Sequence, residues 1–320
     1  LIRTDALLAG EQPLRDFVDA ELRGAWPALS YAVSAWAQQL GGRTLLSEAY
    51  LTVGLLALAH ALVFVLALDL SRRWTVAVLA AAATVATMPK LYNYPKVLAL
   101  AVGVWAVRAA ALEPTTLRLA LAAVATAAAV LFRHDLGIYV AAAMGAALVV
   151  RDIDRWRLLV RHVAIYSAAT AACLLPSVIW VQVYEGVPEY IRRAAASVAV
   201  EQGRTNLRLP SIDLSMPLAP ANLEVAGYYL FWAVPIVAAA VLLPRLVWWR
   251  GPRLTREERA TAFGLLVMAA LANLSFLRAN LAERFGDAVV AVALLASWTA
   301  GAAELWRSAL VRRLVVIAPL

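Results

Sequence analysis

LRLALAAVATAAAVLFRHDLGIYVAAAMGAALVV, residues Leu117 to Val150, decides the fold of this chain. The stretch is apolar on both sides of Arg133-His134-Asp135. Each apolar half has the length of a short membrane-crossing helix. The triplet leaves almost no room for a loop, so two helices leave and re-enter a membrane there. Its charges must then sit at or just below the lipid headgroups. Ionisable groups at that depth are costly and by default mark a functional site. One hairpin earlier, Lys90-Leu91-Tyr92-Asn93-Tyr94-Pro95-Lys96 is a second interruption of the same kind.

Outward from this stretch, the composition repeats the message. The 320-residue chain is 63% hydrophobic, with a mean hydropathy of +0.74, well above the apolar share of a soluble domain. Apolar runs of membrane-helix length recur from Leu51 onward, and no alternating pattern suggests a barrel. The expected fold class is all-α, a polytopic integral membrane protein of about nine transmembrane helices plus an interfacial amphipathic helix. The spans are expected at roughly 48–70, 75–89, 97–112, 117–132, 137–150, 162–184, 227–248, 261–277 and 288–306. Several are short enough for tilted or partly sunken hairpins. Residues 1–47 form a first outer loop. Its stretch from Ala28 to Leu40, with Trp26, Tyr31 and Trp36 near it, suits a helix lying in the interface. Residues 48–320 form the transmembrane domain, with a long outer loop at about 185–226. The chain begins at Leu1 without a methionine and stops inside an apolar run, which reads as an excerpt lacking the extreme N-terminus and the C-terminal part of a longer protein.

Loop charges set the expected orientation. One set of loops carries Arg72-Arg73, Arg118, Arg151 to Arg161, Arg245 to Arg259 and Arg307 to Arg313, a clear basic excess. In the other set acids roughly balance bases. The positive-inside rule places the first set in the cytoplasm and the second outside. Both charged interruptions then share the outer face of a bacterial-type inner or plasma membrane. The net charge of +8 is spread over short loops without a basic domain, so no nucleic acid is expected as a partner. Cys173 is the sole cysteine, which excludes an internal disulfide. No HExxH, CxxC, Walker or GxSxG pattern is present.

The candidate site residues all fall on the outer face. Lys90, Lys96 and Arg133 can neutralise a lipid phosphate, the arginine bidentately. Tyr92 and Tyr94 stand between the lysines, and His134 and Asp135 add an imidazole and a carboxylate. Asp16, Asp19 and Glu21 stand before the interfacial helix, where a carboxylate can act as general base or hold a divalent metal. The outer loops add Glu201, Arg204, Arg208, Arg278, Arg284 and Asp287. Each group also has a plainer reading. The lysines suit snorkelling from helix ends and the tyrosines an interfacial belt. Arg133 and Asp135 suit mutual counter-ions. His60, alone in an apolar span, suits a packing role, and Arg108 suits snorkelling at the inner end of its span.

Gly10-Glu11-Gln12-Pro13-Leu14-Arg15-Asp16-Phe17, followed by Trp26-Pro27-Ala28-Leu29-Ser30-Tyr31 and Leu40-Gly41-Gly42-Arg43, resembles the first outer loop of GT-C glycosyltransferases. Those polytopic enzymes take sugars from polyprenyl-phosphate donors, and many carry a Gly-x-x-Pro-Tyr-x-Asp-Phe element there. Here Leu14 replaces the usual tyrosine and Gly41-Gly42 an aromatic-Gly ending. The hairpin layout and the long outer loop are also similar. The resemblance implies a catalytic role for Asp16, with Asp19 and Glu21 as neighbouring substitutes. The acidic pair common about fifteen residues upstream in the family would fall at or before Leu1.

The expected function is transfer of a glycosyl group from a polyprenyl-phosphate-linked sugar to an acceptor at the outer face, with membrane lipid as the other partner. No cofactor is demanded; a divalent metal is compatible with the acids. The rival readings are a transporter or flippase for a lipid-linked glycan, which needs charged groups near the midplane, and a non-enzymatic membrane assembly subunit whose outer clusters are salt bridges.

Overall fold

The computed structural model describes residues 2–16, 28–87, 94–202, 209–213, 215–216, 219–247, 254–277 and 281–317. The described chain is helical throughout its long elements. A short α1 (Ile2–Leu8) and the interfacial α2 (Ala28–Gly41) precede α3 (Leu45–Ser71), α4 (Trp74–Ala86), α5 (Tyr94–Leu112), α6 (Thr116–Phe132) and α7 (His134–Asp152). Then come α8 (Trp156–Tyr184), α9 (Val187–Gln202), α10 (Pro220–Val247), α11 (Arg256–Asn273) with a 3-10 turn at Leu274–Leu277, and α12 (Leu281–Ile317). Each expected span coincides with one of these helices. Seven are long and apolar enough to cross a membrane; Trp74–Ala86 and Thr116–Phe132 are apolar but shorter.

The ends of the helices follow from local chemistry. Thr44 and Thr115 accept hydrogen bonds from the first-turn amides of Ser47 and Arg118, filling donors that no helical carbonyl reaches. Thr255 and Glu258 close a reciprocal capping box on α11. Between α6 and α7 the whole connection is Arg133, in extended conformation, which is at once the C-cap of one helix and the N-cap of the other. The loop-free hairpin expected from the sequence is therefore present.

Such a turn forces the two helices together. A Cβ on Gly137 of α7 would lie 2.8 Å from the backbone nitrogen of Val130 in α6, so only glycine fits. Elsewhere the bundle uses the same device: Gly264 of α11 faces Val107 of α5 and the Ala143 carbonyl of α7. Lipid gives no hydrophobic drive between spanning helices, so close packing through small residues supplies much of the association. The centre is α5, which packs against α3, α6, α7, α11 and α12. Its residues Val97, Leu100, Val104 and Val107 are buried beside Leu136, Met144, Leu265 and Met268. By contrast α8 leans on α6 and leaves most of its length uncovered, with only Tyr166 and Val181 buried.

The segment expected as an outer loop at 185–226 holds a regular helix, α9, over Val187–Gln202. Arg108 has a partner inside the bundle: its Nε donates to Asp69 on α3 at 3.0 Å. His60 Nδ1 lies 2.8 Å from the Leu56 carbonyl of its own helix, and its Nε2 is buried without a hydrogen-bond partner.

Candidate functional site

The charged triplet is organised by a residue distant in sequence, Asp287 near the start of α12. Its side chain is only 2% exposed. Lys96 Nζ from the first turn of α5 lies 2.6 Å from Asp287 Oδ1, and Arg133 Nη1 donates to the same oxygen at 3.2 Å. Arg284 Nη1, one turn earlier on α12, stands 3.5 Å from Oδ2. Arg133 also grips Asp135: Nε donates to Oδ1 at 2.8 Å, and Nη2 to Oδ2 completes a bidentate fork. Asp135 in turn accepts from the Leu136 amide at 3.0 Å, an acid placed where the N-terminal dipole of α7 favours negative charge. Three cations thus meet two carboxylates, and one positive charge is left over.

The cluster is not saturated. Asp287 Oδ2 and Arg284 Nε are both buried without a hydrogen-bond partner. Buried polar atoms are otherwise paired, and here Oδ2 has only the Arg284 ion pair at 3.5 Å.

His134 turns away from this cluster towards α9. Its Nε2 lies 2.9 Å from the hydroxyl of Tyr190, and the two rings meet edge to face. The helix within the long loop is thereby pinned over the α6–α7 turn. On α9 itself Glu189 accepts from Arg192 and Arg193, and these bonds hold its carboxyl down at about 2.

Asp16 sits elsewhere on the same end of the bundle. Arg15 Nε donates to its Oδ1 at 2.9 Å, and the Gln12 amide donates to its Oδ2 at 2.7 Å. Hydrogen bonds from Arg15 first, and from the Gln12 amide second, hold its carboxyl below the usual carboxylate range. The turn is fixed by Leu14 in the left-handed region, φ 65°, and Trp180 of α8 donates to the Pro13 carbonyl at 3.1 Å. Asp16 therefore closes this turn through Arg15 and the Gln12 amide. Its ion pair is with Arg15, not with Lys96 or Arg133. Asp19, Glu21, Lys90 and Tyr92 lie outside the described residues, as do Arg204, Arg208 and Arg278.

Tyr94 is buried, its ring edge-on to Phe132 at 6.0 Å. With Pro95 it lines a cavity of about 180 Å³ under α2, together with Thr4, Ser30, Tyr31 and Glu48. Glu48, in the first turn of α3, has a buried Oε2 with no hydrogen-bond partner. A carboxylate beside hydroxyls in a partly open cavity can take a proton from an incoming hydroxyl or amine. The sequence reading missed Glu48 because a lone glutamate at a helix start looks like an ordinary dipole partner. It missed Asp287 as a centre because charge counting along loops cannot show which carboxylate the cations share. Among the described residues no group of three or more His, Cys, Asp or Glu side chains is placed to hold a metal ion.

Comparison with protein family models, curated proteins and solved structures yields no match to this chain.

Proposed function

We propose that this membrane protein transfers a glycosyl group from a polyprenyl-phosphate-linked donor to an acceptor, at the end of the bundle that carries Asp287, facing outward. The observation that carries the reading is the excess of cations over carboxylates among the described residues at Asp287, with the Arg284 Nε donor unfilled beside it. A lipid phosphate fits there by displacing the Asp135 carboxylate from the Arg133 fork and taking the Lys96 ammonium. Desolvation by the surrounding helices strengthens these contacts relative to water. Glu48, beside Tyr94 and Pro95, is the better-placed base: it deprotonates the acceptor as the new glycosidic bond forms at the anomeric carbon and the bond to the phosphate oxygen breaks. The polyprenyl phosphate leaves as the anion, held by Arg133 and Lys96. Asp16 then serves to shape the first loop and not to move a proton.

A second reading is favoured by one fact, that both Lys96 and Arg133 already hold carboxylates of this chain. On that reading the cluster is a lock joining α5, α7 and α12, and the protein is a non-enzymatic assembly subunit. Reconstitution separates the two. The full chain in proteoliposomes is given a panel of polyprenyl-phosphate-linked hexoses and pentoses, and sugar transfer to membrane or soluble acceptors is followed. Glu48→Gln is expected to lower turnover about 100-fold, the scale of one lost catalytic group, with donor binding unchanged. Transfer by Arg133→Gln and Glu48→Gln at the unmodified rate contradicts the roles given to these two residues, and a chain that binds no donor and transfers no sugar contradicts the enzyme reading.

A further inference from the structure

At the opposite end of the bundle from Asp287, a cavity of about 350 Å³ opens between the end of α3, the α3–α4 turn, α5, α11 and α12. Its size falls within the range of small-ligand sites. Two backbone features shape it. Gly301 brings α12 against the last turn of α3, where a Cβ would lie 2.7 Å from the Leu70 carbonyl oxygen and 3.0 Å from Ser71 Cα. Arg72 takes the left-handed conformation at φ 58°, a region that glycine enters freely and other residues enter at a cost. The strained position thus carries a guanidinium at the cavity rim, 79% exposed, where a glycine would end the helix more easily.

The lining is charged in an uneven way. Among the described residues, Arg72, Arg73 and Arg108 line the cavity together with Asp69 and Glu258. Arg108 is the innermost, 14% exposed. Its Nε donates to Asp69 Oδ2 at 3.0 Å and its Nη1 to Thr261 Oγ1 at 3.4 Å. Those two bonds fix the plane of the guanidinium, and Nη2 keeps no partner among the described residues. Topology alone accounts for Arg72-Arg73 in a loop. It does not account for an arginine within α5 held in a set orientation at the base of a cavity. A guanidinium fixed by a carboxylate on one side and open on the other is the arrangement that takes phosphate oxygens. Trp298, also in the lining, supplies an apolar surface for whatever carries the phosphate.

We propose that this cavity binds a phosphate-bearing ligand, through Arg108 at its base and Arg72 at its rim. The site stands apart from the transfer reaction proposed above and does not depend on it. The phosphate can belong to an anionic phospholipid headgroup or to a soluble phosphate ester, and two arms of one experiment separate these sources. In the first, full-length chain in neutral detergent is titrated calorimetrically with inorganic pyrophosphate. In the second, it is placed in phosphatidylcholine nanodiscs with and without phosphatidylglycerol, and retained lipid is counted by native mass spectrometry. Saturable binding is expected in at least one arm, pyrophosphate pointing to a soluble ligand and phosphatidylglycerol to a headgroup. Arg72→Gln, whose exposed side chain the fold does not need, is expected to weaken that binding roughly tenfold. Thr261→Val, which frees the Arg108 guanidinium to rotate, should weaken it less. Arg118→Gln, an arginine outside the cavity lining, should leave it unchanged. No saturable binding in either arm, or equal binding by Arg72→Gln and the unmodified chain, overturns the proposal.

Discussion

The two ends of this bundle solve the same problem in opposite ways. At one, Asp287 is almost fully enclosed and draws Lys96, Arg133 and Arg284 onto a single carboxylate. At the other, Asp69 is 40% exposed and meets Arg108 beside an open cavity. Enclosed charge makes the first arrangement stiff and expensive to break; solvent access makes the second cheap to rearrange. Removing one partner of a buried ion pair leaves the other charge stranded, whereas an exposed pair is replaced by water.

That difference can be broken directly. Asp287→Asn removes the shared carboxylate and leaves three cations crowded together, so the loss of stability should be the largest, about 3–5 kcal/mol. Thermal unfolding in detergent reads it, and a second change, Lys96→Met, should restore part of the loss by removing one stranded charge. Next in size, Gly137→Ala drives a methyl into Val130 across the α6–α7 hairpin and should cost about 1–3 kcal/mol, measured in the same way. Asp69→Asn belongs to the more open end, where the carboxylate is 40% exposed although Arg108 is only 14% exposed, and should cost less, about 1 kcal/mol. A cost at Asp69 equal to that at Asp287 would erase the contrast between the two ends.

The smallest effect concerns α9, the helix pinned over the triplet. Glu189 titrates near 2 because Arg192 and Arg193 hydrogen-bond its charged form. A depressed carboxyl gives stabilisation that is complete above its unfolded value, about 4.3 for glutamate, and is lost as pH falls through the folded value. Protection of Val187–Gln202 from limited pepsin digestion should therefore hold down to the ordinary glutamate range and weaken only between there and about 2. Glu189→Gln should remove that pH step.

The helices were readable because lipid allows few alternatives: an apolar run must become a helix that satisfies its own backbone. The span at 117–132 matches Thr116–Phe132, and the Arg133 turn is where the triplet placed it. The site was readable only in part. The triplet announces itself by interrupting an apolar run, but Arg133 and Asp287 are 154 positions apart and nothing local links them. Asp287 itself looks like one more acid in a balanced outer turn. A separation of 39 positions likewise hides the Arg108–Asp69 pair, which lies beside the cavity at the other end. α9 left a fainter trace: Glu189, Arg192 and Arg193 have the three- and four-residue spacing of a helix face. Within a loop already labelled by its charge, that spacing is easily passed over.

The contrast between the ends is tested most directly by locating a bound lipid phosphate. A photoreactive polyprenyl phosphate, crosslinked to the reconstituted full chain and mapped by peptide mass spectrometry, reports which end holds it. Crosslinks on peptides carrying Tyr94 to Lys96, Arg133 to Asp135 or Arg284 to Asp287, reduced in Arg133→Gln, are the predicted result. Crosslinks confined to the Asp69 end, or labelling that Arg133→Gln leaves unchanged, would contradict it.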